Sequence, residues 1–146
     1  MTRTTPLKSI VSVLIIALAF VMLKSDTKEV GINFSHLGFA QAKAEAQKQN
    51  KLIFIDAYTT WCGPCKQMAA TVFKEKSVGD VYNKNFINLK MDMETSEGLF
   101  VGKKYNVTAY PTFLYLKPDG TLVGKQMGAT SSANFIQYAK TAAAKK

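Results

Sequence analysis

The residues best suited to chemistry in this chain are its two cysteines, Cys62 and Cys65, which have two residues between them. A helix-like run follows them. Because residues three apart on a helix share one face, the two sulfurs can bond without unfolding it. Free backbone N–H groups and the positive end of the helix dipole favour a thiolate at a helix start, which activates the first cysteine. The spacing therefore predicts thiol–disulfide exchange with the pair carrying two electrons.

Three other uses of a C-x-x-C pair compete with redox chemistry. Structural zinc needs about four ligands, and the chain adds one distant histidine, His36, so no metal site is expected. Covalent haem needs a histidine directly after the second cysteine, where this chain has Lys66. A structural disulfide stays open as an alternative in an oxidising compartment, although a bridge across so short a loop constrains the chain very little.

A carboxylate stands in the apolar run that precedes the cysteines. Asp56 lies within residues 52–58, LIFIDAY, a pattern typical of a buried parallel strand. Burial raises the pKa of a carboxyl group, so Asp56 is suited to accept the proton of Cys65, directly or through water. The alternative is that Asp56 faces solvent on an edge strand. Its apolar neighbours favour the buried position.

The elements that must position these residues alternate between helix and strand. Alternating units require parallel crossovers, and a turn at residues 118–120 adds an antiparallel pair. The sequence therefore predicts an α/β domain with a central mixed β-sheet flanked by helices. The predicted strands are 52–58, 86–93, 112–116 and 121–127, and the predicted helices are 35–49, 62–76, 78–85, 94–105 and a last one from 131 or 132 into the tail.

Large apolar side chains elsewhere are interpreted as core rather than as a metal-binding or cofactor set. They are Phe34, Phe39, Phe86, Phe100, Phe113, Met68, Met91, Met93 and Met127.

The chain of 146 residues has a net charge of +9, from 19 basic and 10 acidic residues. The lysines are scattered and no arginine follows Arg3, so the sequence lacks the basic stripe of a nucleic-acid-binding protein and we expect no nucleic-acid partner. We interpret the charge as a solvated basic surface that favours acidic partners or an anionic membrane face. The length suffices for one domain with a full core.

The first residues have the layout of an export signal. Arg3 and Lys8 are followed by an apolar run of 14 residues, 10–23, which is short for a membrane span of about 20 residues. Ala17-Leu18-Ala19 resembles a cleavage site, but the apolar run continues past it, so an uncleaved N-terminal membrane anchor is the alternative. Both readings predict an exported, periplasmic domain. The predicted divisions are 1–25, signal peptide or anchor; 26–34, linker; and 35–146, the folded domain.

Residues 35–143 resemble the thioredoxin family. Residues 54–65 match its strand, buried aspartate and WCGPC active site. Residues 108–113, TAYPTF, match the segment whose proline is cis and faces the disulfide, and residues 125–129 match the glycine loop that closes the substrate groove. The resemblance implies a thioredoxin fold, here with an extra N-terminal helix, and a cis bond before Pro111.

The resemblance also implies a function. Cys62 attacks a substrate disulfide, and Cys65, deprotonated with help from Asp56, resolves the mixed disulfide. The Gly-Pro dipeptide matches the reducing thioredoxins. We therefore expect a protein-disulfide reductase that acts on protein thiols and disulfides, needs no cofactor beyond its cysteines and is recharged by a membrane electron donor. The alternatives are a disulfide oxidase or isomerase, or a non-catalytic binding module. The expected substrate-binding residues are Trp61, Gly63, Pro64, Tyr110, Pro111, Gly128 and Ala129.

Two positions depart from the family pattern. Tyr58 stands where many members have tryptophan. Asn88 is aligned with the lysine that lies near the buried aspartate in cytosolic members, which leaves the proton transfer at Asp56 open. With the export signal, the chain resembles the exported thioredoxin-like proteins of Gram-negative bacteria more than a cytosolic thioredoxin.

Overall fold

Five strands form one mixed sheet in the computed structural model of this chain, which describes residues 30–146. They are β1 (Phe34–Ser35), β2 (Leu52–Tyr58), β3 (Phe86–Asp92), β4 (Thr112–Leu116) and β5 (Leu122–Met127). The order across the sheet is β1-β3-β2-β4-β5. β3 pairs in parallel with β1 and β2, whereas β4 runs antiparallel to both β2 and β5. The mixed sheet predicted from the alternating pattern is confirmed.

Five α-helices flank the sheet in the described part of the chain. They are α1 (Phe39–Gln49), α2 (Gly63–Ala70), α3 (Lys76–Asn85), α4 (Ser96–Lys104) and α5 (Ser132–Ala143), with a short 3₁₀ helix at Val72–Lys74. The predicted helix 62–76 ends early because Thr71 leaves helical geometry, with φ −121° and ψ −86°. Between residues 30 and 146, no helix is both long and apolar enough to cross a membrane.

The helix predicted ahead of the first central strand is α1, but it begins at Phe39 rather than at Ser35. Its start is determined by two side chains that satisfy free backbone N–H groups. The N–H of Gly38 donates to Oε1 of Gln41 at 3.1 Å, and the N–H of Phe39 donates to Oε1 of Glu97 at 2.7 Å. The second partner lies on α4, so sequence reading could not have found it.

The two faces of the sheet carry separate apolar clusters. Successive side chains of a strand point to opposite faces, so Ile53 and Ile55 of β2 pack with α1 and α4. Leu52 and Phe54 pack on the other face with α2, α3 and α5. Asp56 is two residues beyond Phe54 on β2, so both side chains point to the same face of the sheet, the one on which α2 packs.

Some sequence-based expectations differ from the structure. Phe100 and Met127, both interpreted as core, are each 60% exposed. The described end of the predicted linker, residues 30–34, lies against the domain: the N–H of Ile32 donates to the carbonyl of Phe73 at 2.7 Å, and Phe34 begins β1. A strand of two residues is too short to show an alternating pattern. The predicted signal or anchor at 1–25 lies outside the described residues.

Candidate active site

Cys62 and Cys65 form a disulfide at the start of α2, with their Cα atoms 5.3 Å apart. Cys62 occupies the N-cap position, and its Sγ accepts a hydrogen bond from the N–H of Cys65 at 3.2 Å. Pro64 fits the first turn, where its missing N–H costs nothing. The helix start predicted at Cys62 is confirmed. Once the pair is reduced, the same N–H and the helix dipole stabilise a Cys62 thiolate.

Both sulfurs are shielded from solvent in this oxidised state. Cys62 is 4% exposed and Cys65 is 2% exposed. The residues between them, Gly63 and Pro64, are exposed, and a Cβ added to Gly63 would meet nothing within 4 Å. The backbone between the two cysteines is therefore open to solvent on the Gly63 side of the helix start.

Asp56 is fully buried in the central strand β2. Its Oδ2 accepts a hydrogen bond from Nζ of Lys90 at 2.8 Å, while its Oδ1 has no hydrogen-bond partner among the described residues. Burial raises the pKa of Asp56 above its ordinary value, and the Lys90 ammonium offsets part of that rise. The alternative in which Asp56 faces solvent at a sheet edge is therefore wrong.

The lysine beside Asp56 is Lys90, whereas the resemblance to the family places that lysine's position at Asn88. In the parallel pairing of β2 with β3, Asp56 lies opposite Lys90 and Phe54 lies opposite Asn88. The amide of Asn88 is engaged elsewhere, since its Nδ2 donates to the carbonyl of Asn33 and to Oδ1 of Asn83. Lys90 is two residues from Asn88 on the same strand face, so only the register between the strands distinguishes them.

Four of the predicted substrate-binding residues are linked to one another across distant parts of the chain. The rings of Trp61 and Tyr110 meet edge to face with centroids 5.9 Å apart. The Tyr110–Pro111 bond is cis, as the resemblance predicts. The carbonyl of Pro111 accepts a hydrogen bond from the N–H of Gly128 at 2.8 Å. Trp61, 65% exposed, thus stands at the rim of a surface made from three loops.

Two further residues belong to this surface and were missed in the sequence. Glu94 accepts a hydrogen bond from the indole N–H of Trp61 at 3.0 Å, and this bond fixes the orientation of the exposed ring. Met127 lies exposed directly before Gly128, whose φ of +86° favours glycine. Ala129 follows as an exposed residue. A glutamate 33 positions beyond Trp61 has no sequence signal that links it to the cysteines.

Metal binding has no candidate site within residues 30–146, where no group of three or more His, Cys, Asp or Glu side chains comes together. The arrangement offers instead a nucleophilic sulfur at a helix start, a second sulfur bonded to it, a buried carboxyl group on the same sheet face and an exposed aromatic side chain beside the disulfide.

Comparison with known proteins places this geometry in a family context. Residues 39–143 match the family model described as the thioredoxin-like domain, which begins at the first residue of α1, so that helix belongs to the matched domain. The chain is similar to Thioredoxin-1 of Drosophila melanogaster, at 41% identity over 73 residues, covering 50% of this chain and 64% of that protein. It is equally similar to the mitochondrial Thioredoxin-3 of Saccharomyces cerevisiae, at 41% identity over 87 residues, covering 59% and 62%. The chain thus spans less than two thirds of these relatives.

Solved structures give the same relationship over a larger share of the chain. A provisionally named disulphide-isomerase from Bacteroides thetaiotaomicron is 41% identical, with a TM-score of 0.72 and coverage of 82% of this chain and 98% of that one. A thioredoxin from Thermus thermophilus is 23% identical with a TM-score of 0.67, covering 75% and 85%, and shows the shared fold alone.

Proposed function

Because the chain belongs to the thioredoxin-like domain family, we propose that it is a protein-disulfide reductase that transfers two electrons through Cys62 and Cys65. The family, the fold and the cysteine pair support a thioredoxin-like oxidoreductase that acts on protein thiols and disulfides. Proteins of this family use their own cysteine pair and need no cofactor. The observation that carries the proposal is the Cys62–Cys65 disulfide at the start of α2, beside an open rim.

The first step uses the helix start. In the reduced protein the Cys62 thiolate attacks one sulfur of a substrate disulfide, forms a mixed disulfide and releases the other substrate sulfur as a thiolate. The N–H of Cys65, which donates to Sγ of Cys62 in the disulfide, stabilises the attacking thiolate. An extended substrate segment lies along Trp61, Tyr110 and Gly128.

The second step uses the buried carboxylate. Asp56 takes the proton of the Cys65 thiol, directly or through water, since burial raises its pKa and so increases its affinity for a proton. The Cys65 thiolate attacks Sγ of Cys62 and releases the second substrate sulfur. The substrate has gained two electrons, and the protein ends with the disulfide seen in the structure.

The location of the protein is a further part of the proposal. The apolar run 10–23 behind Arg3 and Lys8 supports export, either with cleavage or with retention as a membrane anchor. An oxidising compartment would leave the pair as a disulfide, so a reductase there needs a membrane electron donor that returns two electrons. Alkaline phosphatase fused after Lys146 should be active only in a chain that keeps residues 1–25. Equal activity without them would contradict export.

An insulin-reduction assay tests the reductase step. Wild-type protein with a dithiol donor should precipitate insulin, and Cys62→Ser should lose this activity, because it removes the attacking sulfur and leaves Cys65 without its disulfide partner. Asp119→Asn is the control, since Asp119 lies in the exposed turn between β4 and β5, at the end of β4 opposite Pro111. Equal rates for wild type and Cys62→Ser would instead indicate a non-catalytic binding module.

Trapping identifies the substrates. Cys65→Ala removes the resolving sulfur and should hold substrate proteins as mixed disulfides on Cys62. The Cys62→Ser, Cys65→Ala double variant should hold none. Recovery of the same proteins from both variants would show that they bind without disulfide exchange.

Disulfide isomerisation is the second candidate, because the Bacteroides protein named for that activity is 41% identical over nearly its whole length. A redox titration separates the two. A reduction potential of the Cys62–Cys65 pair near the thioredoxin value of about −270 mV supports a reductase. A potential near about −180 mV, the value of protein disulfide isomerase, supports isomerisation. A midpoint near about −120 mV, the DsbA value, would support an oxidase.

A further inference from the structure

The Lys90 ammonium lies between the Asp56 carboxylate and an aromatic ring. Nζ of Lys90 is 2.8 Å from Oδ2 of Asp56 and 4.2 Å from the ring centroid of Tyr58. The rings of Phe34 and Phe73 lie further away, at 6.0 and 5.7 Å. A cation within about 6 Å of a ring face is attracted by the ring quadrupole. Among the described residues, Tyr58 is therefore the aromatic residue closest to the Lys90 ammonium that pairs with Asp56.

The position of Tyr58 follows from the strand. Tyr58 and Asp56 are two residues apart on β2 and share a sheet face, while Lys90 reaches them from the neighbouring β3. The Lys90 side chain is 31% exposed. A lysine this exposed can swing into water, where its ammonium is well hydrated. The Tyr58 ring is the nearest aromatic group to this ammonium and favours its position beside Asp56.

Other groups around Asp56 leave Lys90 as the charge that acts on it in the described part of the chain. β4 places the apolar Phe113 opposite Asp56, and α2 contributes the apolar Met68 to the cluster on this face of the sheet. Asp92, opposite Tyr58 on β3, turns its Oδ1 to the N–H of Glu94 at 3.0 Å. The ammonium of Lys90 favours the charged carboxylate, so its distance from Asp56 controls the proton affinity of that carboxyl group.

We propose that Tyr58 is a positioning residue: its ring holds the Lys90 ammonium against Asp56 and thereby controls how readily Asp56 takes the proton of Cys65. The inference deepens the proposed function and rests on it for the proton transfer. The contact among Tyr58, Lys90 and Asp56 is independent of activity, so it can be tested on its own.

The direct test is the titration of the Asp56 carboxyl carbon by NMR in ¹³C-labelled oxidised protein. Tyr58→Leu keeps apolar bulk but removes the ring, so Lys90 spends less time at Asp56 and the midpoint should rise by about half a pH unit, which corresponds to a cation–π contact of about 0.5–1 kcal/mol. Tyr58→Phe keeps a ring and should titrate close to wild type. A Tyr58→Leu midpoint equal to wild type would overturn the proposal. Tyr58→Met replaces Tyr58→Leu if the latter does not fold.

A double-mutant cycle shows whether Tyr58 acts through Lys90. Lys90→Met alone should raise the Asp56 midpoint by about one pH unit or more, since an opposite charge at this distance lowers a carboxyl pKa by that amount. Adding Tyr58→Leu to Lys90→Met should then change nothing further. If Tyr58→Leu shifts the midpoint equally with and without Lys90, the ring acts by packing alone and the proposal is wrong.

The pH profile of mixed-disulfide resolution links the contact to the reaction. Rapid mixing of reduced protein with a disulfide peptide gives the rate of the second step, and its midpoint should move upward in Tyr58→Leu by the same amount as the carboxyl titration. An unmoved profile would contradict the role in proton transfer. If wild-type protein reduces no disulfide at all, the proposed function fails, while the titration still decides the contact.

Discussion

At the scale of single residues, the site depends on a carboxyl group placed where its charge is costly. Asp56 is fully buried and has one hydrogen-bonded partner, Lys90, while its second oxygen has none among the described residues. A buried ion with an incomplete set of partners destabilises the fold. A purely structural role would favour an apolar residue here, so the position of Asp56 supports a function in proton transfer.

Asp56→Asn should raise the stability of the oxidised protein at neutral pH. The pKa of Asp56 in the folded protein is raised above its ordinary value of about 4, which applies to the unfolded chain. At a pH between the unfolded and the folded pKa, the folded state therefore binds more protons than the unfolded state. The free energy of unfolding therefore falls as the pH rises through the folded pKa. Asp56→Asn has no carboxyl group to ionise, so its stability does not fall in this way. The difference in the free energy of unfolding between the variant and wild type, measured by urea unfolding, should therefore grow from pH 4 to pH 8.

The control for this prediction is Asp119→Asn, in an exposed turn. Hydrogen bonds from Thr121 lower the pKa of Asp119, so above about pH 5 this carboxyl group is ionised in both the folded and the unfolded state and its contribution to stability should be constant. Parallel stability curves for wild type and Asp56→Asn from pH 4 to pH 8 would contradict the prediction.

At the scale of elements, α4 connects the active-site rim to the rest of the fold. Its N-cap, Thr95, accepts a hydrogen bond from the N–H of Gly98 at 3.1 Å, and Glu97 in its first turn caps α1. Glu94, just before the helix, holds the Trp61 ring. A change in how α4 packs should therefore move the rim as well as lower stability.

The two glycines of α4 should respond to alanine in opposite directions. A Cβ on Gly98 would clash with the carbonyl oxygen of Asp92 and with the backbone of Met93, so Gly98→Ala should destabilise the protein by about 1–3 kcal/mol. A Cβ on Gly102 would meet only Sδ of Met93, at 3.5 Å. Gly102→Ala should therefore stabilise by about 0.5–1 kcal/mol, the helix-propensity gain.

Urea unfolding measures both variants, which lie one helical turn apart and serve as each other's control. Gly98→Ala should also reduce the insulin-reduction rate, since α4 supports Glu94. If both variants gain stability, the close packing of α4 against β3 is not needed for folding.

At the scale of the whole molecule, the net charge of +9 affects how fast charged partners associate with the protein rather than which fold it adopts. The rim itself has few charges, with Trp61, Tyr110 and Met127 exposed or half-buried. The lysines are scattered along the sequence and give the chain its positive charge. Such a field attracts acidic partners and is screened by salt, whereas apolar contacts at the rim are not.

Reduction of an acidic disulfide peptide should therefore be faster at low salt than reduction of a neutral peptide with the same disulfide. Raising NaCl from 20 to 300 mM should lower the second-order rate constant for the acidic peptide severalfold, because the screening length falls below about 10 Å above 0.1 M. The neutral peptide is the control and should change little. An equal salt response of the two peptides would show that the charge does not steer substrates.

Much of the fold was predictable because its signals are local. The apolar run 52–58, the turn at 118–120 and the alternating helices all appear within short windows of the sequence. The strand and the turn lie where they were predicted, and each predicted helix is present although its ends differ by up to six residues. The exceptions need distant partners. β1 is a strand only because β3 lies beside it, and Phe100 was assigned to the core although α4 turns it to solvent.

The sequence by itself determined the reactive pair, because a three-residue separation at a helix start depends on chain geometry alone. It also determined that a carboxyl group stands on the strand leading to that pair. Only the tertiary structure decided which charge meets Asp56, since the strand register and not the spacing places Lys90 opposite it. The same holds for the rim, where Trp61, Tyr110 and Gly128 meet because the sheet brings three loops to one end. The local sequence thus determines which side chains can react, whereas the packing of distant segments determines which other side chains surround them.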